Sequence, residues 1–437
     1  MSEDAFQTGV VLGSVHFAQH VFRILPPLLP VLALSLGYPL WQLGALVSLY
    51  FAGSGFGQAP MGVLADRYDR RLIVPPSVAA MGVGYLVVAA APRLTDPAAV
   101  VLVVAGEPLT GGVLVMGAGS LVAGLGASAI HPCGYPLVVA NAPPEREGRA
   151  LGRWGSAAKL GDAAAPLAVA GLVLVAAWHE VFLLFGGVGL CYGAALAPAL
   201  SAGVVETRPG GQRLLDADGQ ADAAPADRRD YVYPFVALLV FFLARAFSEK
   251  GLKAFLPTFL VTAYGYTLAV GGLTLPAESL ANVYFTAVFL VAAVTTLVTG
   301  WLVDRFDPRA VLVAMFAAAT AILVVLATGR LSPLALLAVL AALGAANWGW
   351  VPARDAIMSD IAPPAREGRT FGYLHTVSHL FSAVAPVGIG LVAGATSLRE
   401  SVLVLVAAMV VAVAAVAALF SGRVYRVPEA GGTSDPE

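Results

Sequence analysis

All three lysines of the chain, Lys159, Lys250 and Lys253, fall inside long apolar runs, whereas the bases of the polar segments are arginines. A charged side chain at the centre of a membrane helix costs about 2.5–3.5 kcal/mol. Arg245, Glu249, Lys250 and Lys253 crowd into nine residues, so facing them to lipid would cost on the order of 10 kcal/mol. They must face protein or water. At about 100° per residue, Arg245, Glu249 and Lys253 share one side of a helix, with Lys250 beside it. Arg245 and Glu249 have the spacing of an internal ion pair, as natural a reading as a functional one. Lys253 has no obvious acid of its own on that helix and is the stronger ligand candidate. Arg23 shares a stripe with His16 and His20, at i, i+4 and i+7. Placing Pro27 on Pro257 pairs Arg23 with Lys253 and His20 with Lys250. Fixed cations without matching acids suit an anionic group on a small solute. Asn347 and Trp350 share a face with Arg354, next to Asp355, and extend the candidate binding set. The plain reading there is that Arg354 and Asp355 pair at the membrane boundary.

Five of the six histidines, His16, His20, His131, His375 and His379, also fall in apolar runs. At about 1.5 Å per residue, His16, His131, His379 and Lys159 lie roughly 10–15 Å inside one boundary. Lys159 and His379 are 220 residues apart, and a polar group, Asp162 or Ser382, follows each by three residues. That correspondence points to a shared cavity. Two chemistries compete. His16 with His20, or His375 with His379, at i, i+4 can hold a transition metal. Alternatively His131, His379, Lys159, Asp162 and Glu249 relay protons. A histidine satisfied by a neighbouring helix carbonyl is the bland option for each. No acid or thiolate sits beside the paired histidines, and Cys133 faces away from His131 at i+2, which ranks protons above metal. Asp162, on the helix of Lys159, is the candidate proton carrier.

These residues must be positioned by helices in lipid. Hydrophobic residues make up 59% of 437 and charged residues 12%, about half the charge of a soluble domain. A span needs about 20 predominantly apolar residues, and the sequence predicts helices near 8–36, 41–65, 72–91, 112–140, 150–177, 181–201, 234–262, 279–303, 310–328, 333–358, 369–396 and 400–420. Arginines concentrate in the loops on one side, which the positive-inside rule assigns to the cytoplasm together with both termini. Residues 1–9 hold two acids and no base, a poor cleavable signal, so the first helix is expected to remain as an anchor.

The chain repeats itself. Gly62, Asp66, Arg67, Asp69 and Arg71 are echoed at an offset of 238 by Gly300, Asp304, Arg305, Asp307 and Arg309, and Arg70 belongs to the first copy alone. Ala142, Arg146, Gly148 and Arg149 are echoed at an offset of 220 by Ala362, Arg366, Gly368 and Arg369. The unequal offsets place extra sequence in the first half, near 93–111. Residues 206–230 are rich in Asp, Ala, Gly, Gln and Arg and read as a flexible cytoplasmic linker. The halves are then 1–205 and 231–420, followed by a polar cytoplasmic tail, 421–437.

The loop at 62–71, its second copy and the duplicated plan resemble the major facilitator superfamily over essentially the whole chain. His131-Pro132 and a first helix carrying Ser14, His16, Gln19 and His20 resemble the fosmidomycin-resistance-like exporters within it. The resemblance implies an all-α membrane protein, twelve transmembrane helices in two pseudo-symmetric six-helix halves, with substrate near the midplane between them. It implies that the first and seventh helices face each other across the cavity, with Arg23 and Lys253 on opposite walls. It also implies a gate in which Asp66 braces a helix N-terminus, with Arg67, Arg70 and Asp304 in the paired loops. The plain reading of those arginines is topology alone. The superfamily loop has glycine where this chain has Asp69 and Asp307. The run 161–166 resembles the fifth-helix antiporter motif, with alanine for one glycine, and points to export.

The expected function is proton-coupled efflux, by alternating access, of a small organic solute that is anionic or zwitterionic. The expected partners are that solute, protons and the bilayer of the cell (inner) membrane, with a monomer sufficient and neither cofactor nor nucleic acid required. A carrier of a transition metal or its chelate is the alternative. From another class, a membrane sensor without flux would need a folded output domain, for which the linker and tail are too short and polar. No Gly-x-x-x-x-Gly-Lys-Ser/Thr or His-Glu-x-x-His run occurs, so neither an ATP-driven pump nor an enzyme is expected. The orientation is checked by cysteines placed at Gly210, Ala221 and Gly432 in a cysteine-free background. An impermeant thiol reagent should reach them only from the cytoplasmic side, and labelling in intact cells would reverse the topology.

Overall fold

The computed structural model describes residues 3–96, 99–104, 106–143, 146–203, 205–208, 228–361, 367–422 and 424. The linker expected at 206–230 and the tail at 421–437 fall largely outside them. Backbone polar groups in lipid have no water to bond, so the apolar runs close their hydrogen bonds within helices. The first half comprises α1 (Glu3–Val21), α2 (Leu25–Leu36), α3 (Leu40–Arg67), α4 (Val74–Leu94), α5 (Gly111–Ala127), α6 (Ile130–Ala140), α7 (Glu147–Leu172) and α8 (Trp178–Ser201). The second comprises α9 (Arg228–Ala263), α10 (Ala277–Val303), α11 (Pro308–Thr328), α12 (Pro333–Trp348), α13 (Val351–Ile361), α14 (Glu367–Ser382), α15 (Ala385–Ala395) and α16 (Leu398–Ala417). The pairs α1–α2, α5–α6, α12–α13 and α14–α15 are single spans in two pieces, which leaves six crossings in each half among the described residues. Ten crossings are long and apolar enough by hydropathy. The other two, α3 and α7, are 28 and 26 residues long and carry more polar side chains.

Each break precedes a proline: Pro26 and Pro27 in α2, Pro132 in α6, Pro352 in α13 and Pro386 in α15. Proline has no N–H for the carbonyl four residues back and its ring crowds that carbonyl. Pro26 orphans the Phe22 carbonyl, and the buried Tyr85 hydroxyl donates to it from α4. Pro257, by contrast, leaves α9 continuous.

Two short antiparallel hairpins sit at the end of the bundle opposite the arginine loops. β1 (Val100–Val104) pairs with β2 (Glu107–Thr110), and β3 (Leu268–Val270) with β4 (Leu273–Leu275). The first lies in the 93–111 segment. Nothing in the helical periodicity announced the second, although its turn, Gly271 (φ 59°) and Gly272 (φ 83°), is a Gly-Gly hairpin signal. At the arginine end, Asp69 and Asp307 cap the following helical turns by accepting from the Arg71 and Arg309 backbone N–H groups. That role accounts for aspartate where the superfamily loop has glycine. Partial burial acts to raise the Asp69 carboxyl, but hydrogen bonds from Thr207 and Arg71 and the charges of Arg71 and Arg208 outweigh it and hold it below the usual range. The Arg309 side chain does the same for Asp307.

A single hydrophobic core runs through both halves, and a smaller one around Ile130, Cys133 and Trp154 fills the arginine end of the first. The halves meet closely at the hairpin end, where α3 packs on α15 and α2 on α9. A Cβ on Gly44 would lie 2.3 Å from the Pro386 carbonyl oxygen, and one on Gly390 would lie 2.5 Å from the Leu40 oxygen. The Val387 N–H donates to the Ser48 hydroxyl in the same contact, at 3.1 Å. Only glycine permits this backbone approach. Gly44→Val should therefore part the halves at the hairpin end and expose a cysteine introduced at Val47 to an aqueous thiol reagent from that end. Unchanged protection of that cysteine would show that the glycine contact does not seal it.

Candidate functional site

The centre of the molecule is organised around one carboxylate. Asp162, on α7, is 6% exposed. Its Oδ1 accepts from His20 Nδ1 at 2.9 Å and lies 3.6 Å from Arg23 Nη1, and its Oδ2 lies 3.5 Å from Lys253 Nζ of the second half. The preceding residue makes this possible. A Cβ on Gly161 would stand 2.5 Å from the Phe17 carbonyl oxygen and 2.7 Å from the His20 Cβ, so glycine brings α7 onto α1 and sets Asp162 against His20. Arg23 follows the end of α1, in the break that the prolines of α2 create.

From Lys253 the network continues along α9. Its Nζ is 3.3 Å from Glu249 Oε1, Glu249 pairs with Arg245, and the same carboxylate accepts from Trp348 Nε1 at 3.1 Å. Arg245 stacks on the Trp350 ring at 4.1 Å, and Lys250 sits 4.0 Å over the Phe51 ring of α3. Five bases (Arg23, Lys159, Arg245, Lys250, Lys253) thus face two acids (Asp162, Glu249) among the described residues. Counted formally, with histidines neutral, these seven residues carry three more positive than negative charges. Beside Asp162 lies a narrow cavity of about 30 Å³, lined by His20, Arg23, Tyr50, Lys253, Phe285 and Phe289 among others. Three polar side chains of α10 tie the halves together from the hairpin end down to its level. Ser279 donates to the Ala170 carbonyl at 2.9 Å, Asn282 to Pro27 at 3.0 Å and Thr286 to Ala163 at 3.2 Å.

Of the expected binding residues, His20, Arg23 and Lys253 line this cavity. Lys250, Asn347 and Trp350 do not. Trp350 is packed between Phe241, Phe316 and the Arg245 guanidinium, and its Nε1 donates to the Asn347 carbonyl at 2.9 Å. The structure gives Asp162 its partners and corrects two expectations. Asp162 pairs with Lys253, His20 and Arg23, and not with Lys159, which forms no ion pair among the described residues; at i, i+3 on α7 the ammonium leaves the carboxylate to α1 and α9. Lys253 is not without acids, because it is shared by Glu249 one turn back and Asp162 across the halves. Arg23 and Lys253 are therefore not free cations on opposite walls but two ends of one bridge.

The histidines also regroup. His16 and His20 gather with His131 of α6, one nitrogen of each ring lying within 4.8 Å of the others, and His379 is not in that group. The His375 side chain lies outside the described residues, while His379 of the second half acts electrostatically on His131. Among the gate candidates, Asp66, Arg67 and Asp304 are exposed with no ion pair among the described residues, and Arg70 is buried. Residues 362–366, before α14, lie outside the description. Sequence reasoning missed Tyr50, Phe285, Phe289, Trp348 and the hydrogen-bonding face of α10. A Ser279, Asn282, Thr286 stripe at i, i+3, i+7 in an apolar run was the available signal.

The family model of the Major Facilitator Superfamily matches residues 12–285 and 276–436. Among solved structures, the chain is similar to a bacterial homologue of the human lysosomal transporter Spinster in its inward-facing, occupied conformation. That likeness has 16% identity and a TM-score of 0.75, covering 97% of this chain and 98% of that one. The unoccupied inward-facing form of that protein gives 17% identity and a TM-score of 0.71, over 95% and 97% of the two chains. A mutant of the nucleoside transporter NupG gives 16% and 0.69, over 96% and 100%. No curated protein matches the sequence.

The Arg245–Glu249 pair supplies a test of the network as structure. Glu249→Gln strands the Arg245 charge, leaves Lys253 to Asp162 alone and should lower thermal stability by about 3–5 kcal/mol, while Arg245→Met in the same chain recovers most of the loss. A single variant as stable as the parent would remove the pair from the structural account.

Proposed function

The chain belongs to the major facilitator superfamily and is a secondary transporter, and on that premise we propose that it couples proton movement to that of a small anionic or zwitterionic solute. The observation that carries this is the Asp162–Lys253 contact, an ion pair between the two halves at the edge of the cavity. A proton on Asp162 neutralises the acid that draws Arg23 and Lys253 together. The bridge then costs more than it contributes, because the Arg23 guanidinium is left buried without a counter-ion and the Lys253 ammonium keeps only Glu249 of its own helix. Two states of the pair become two states of the halves.

The excess of positive charge recruits an anionic group, which takes the place of the carboxylate on Arg23 and Lys253. Protonation of Asp162 and binding of a plain anion then favour each other. A zwitterion behaves differently, because its ammonium competes with the proton for Asp162 and the two move in opposite directions. The run 161–166, with its antiporter likeness, favours this exchange form and hence efflux against an inward proton gradient. In the orientation read from the arginines, the hairpin end faces outward and both termini are cytoplasmic in the cell membrane.

Proteoliposomes with an imposed pH gradient test this reading. Asp162→Asn should abolish gradient-driven accumulation while leaving solute exchange without a gradient, and Lys253→Met or Arg23→Gln should weaken binding of an anionic solute by roughly 1–3 kcal/mol. Gradient-driven accumulation that survives Asp162→Asn would sink the coupling role, and unchanged affinity in both cation variants would remove the anion.

A further inference from the structure

The geometry points to a binding site for one borderline divalent cation of the zinc, cobalt or nickel kind, formed by His16, His20 and His131 within the first half. It goes beyond the transport reading and does not rest on it. His16 is 4% exposed. Its Nδ1 lies 2.8 Å from the Trp154 carbonyl oxygen, an acceptor only, so Nδ1 carries the hydrogen and Nε2 a bare lone pair. That Nε2 is buried with no hydrogen-bond partner. An orphaned buried polar atom is costly unless something occupies it. His20, one turn on, has its Nδ1 2.9 Å from Asp162 Oδ1 and 3.2 Å from Arg23 Nη1; in the tautomer that donates from Nδ1 to the closer carboxylate, its Nε2 offers a lone pair to the cation. A carbonyl or carboxylate on the far ring nitrogen is what orients and strengthens metal-ligating histidines.

The third ring comes from another helix. His131 opens α6 behind the break before Pro132, makes no hydrogen bond among the described residues, and stands edge-on to His16 with ring centroids 5.2 Å apart. One nitrogen of each ring lies within 4.8 Å of the others. Bonds of about 2.0–2.1 Å require those nitrogens to draw in by on the order of 1 Å, within the reach of ring rotations. Trp154 stacks on His16 with centroids 3.5 Å apart and walls the site on one side. Three neutral imidazoles, no thiolate and one position left open suit a borderline cation, with water or a solute carboxylate as the fourth ligand. The occupied site would staple α1 to α6 and share His20 with the anion cavity.

The test uses the full chain without a polyhistidine tag, stripped with chelator in detergent and titrated with Co²⁺. One Co²⁺ per chain is expected, with tetrahedral absorption bands, quenching of Trp154 fluorescence and displacement by Zn²⁺. His16→Gln and His131→Ala should each weaken binding by at least about tenfold, and Asp162→Asn by about 10–100-fold through its hold on His20. His131→Cys, which restores a ligand, should bind Co²⁺ with a thiolate charge-transfer band and shows that loss in His131→Ala is not misfolding. No stoichiometric binding to the parent chain, or equal binding to the parent, His16→Gln and His131→Ala, overturns the site.

Discussion

A carboxylate buried in a membrane protein has to be answered by positive charge, and Asp162 is answered from both halves of the molecule at once. His20 and Arg23 come from the first half and Lys253 from the second. Much of the surrounding architecture follows from keeping that set together. Gly161 lets α7 close on α1, the prolines of α2 end α1 just before Arg23, and Glu249 with Trp348 holds Lys253 at its station on α9. The pair is buried but not saturated, since five bases face two acids. A site with that imbalance is held together by its acids and prepared for another anion.

The bridge also explains why the halves need two kinds of contact. Near the centre they are joined by charge and by single hydrogen bonds from Asn282 and Thr286 of α10 to carbonyls of α2 and α7, which can be exchanged for others. At the hairpin end they are joined by backbone packed on backbone at Gly44 and Gly390. Close packing gives a contact that is either made or broken, with little between, and charge supplies the bias between those states.

The helical plan was legible because lipid imposes it. Apolar length, the positive-inside bias and the two repeated loops are all one-dimensional signals, and the spans they predict match the structure closely. The candidate site was legible in part. Arg23 and Lys253 could be placed together because a proline marks the same point in both helices. Their true partner was obscured, because Lys159 is nearer Asp162 in sequence while His20 and Lys253 are nearer in space. The trio of histidines was hidden for a related reason. Spacing at i, i+4 finds His16 with His20 but cannot find a third ring on α6. The hairpins escaped a search tuned to a period of 3.6, and Trp350 was credited to the cavity because helical faces say nothing about which neighbour fills them.

The central claim is that the charge on Asp162 sets how the halves sit relative to each other. Spin labels at Leu94 and Thr328, on the hairpin end of each half, in a chain with Cys133 and Cys191 replaced, read that separation directly. Acidification of the unmodified site should shift the distance distribution toward a wider hairpin end, and Asp162→Asn should hold the wider distribution at every pH. A distribution that moves with pH equally in the parent and in Asp162→Asn would contradict the account.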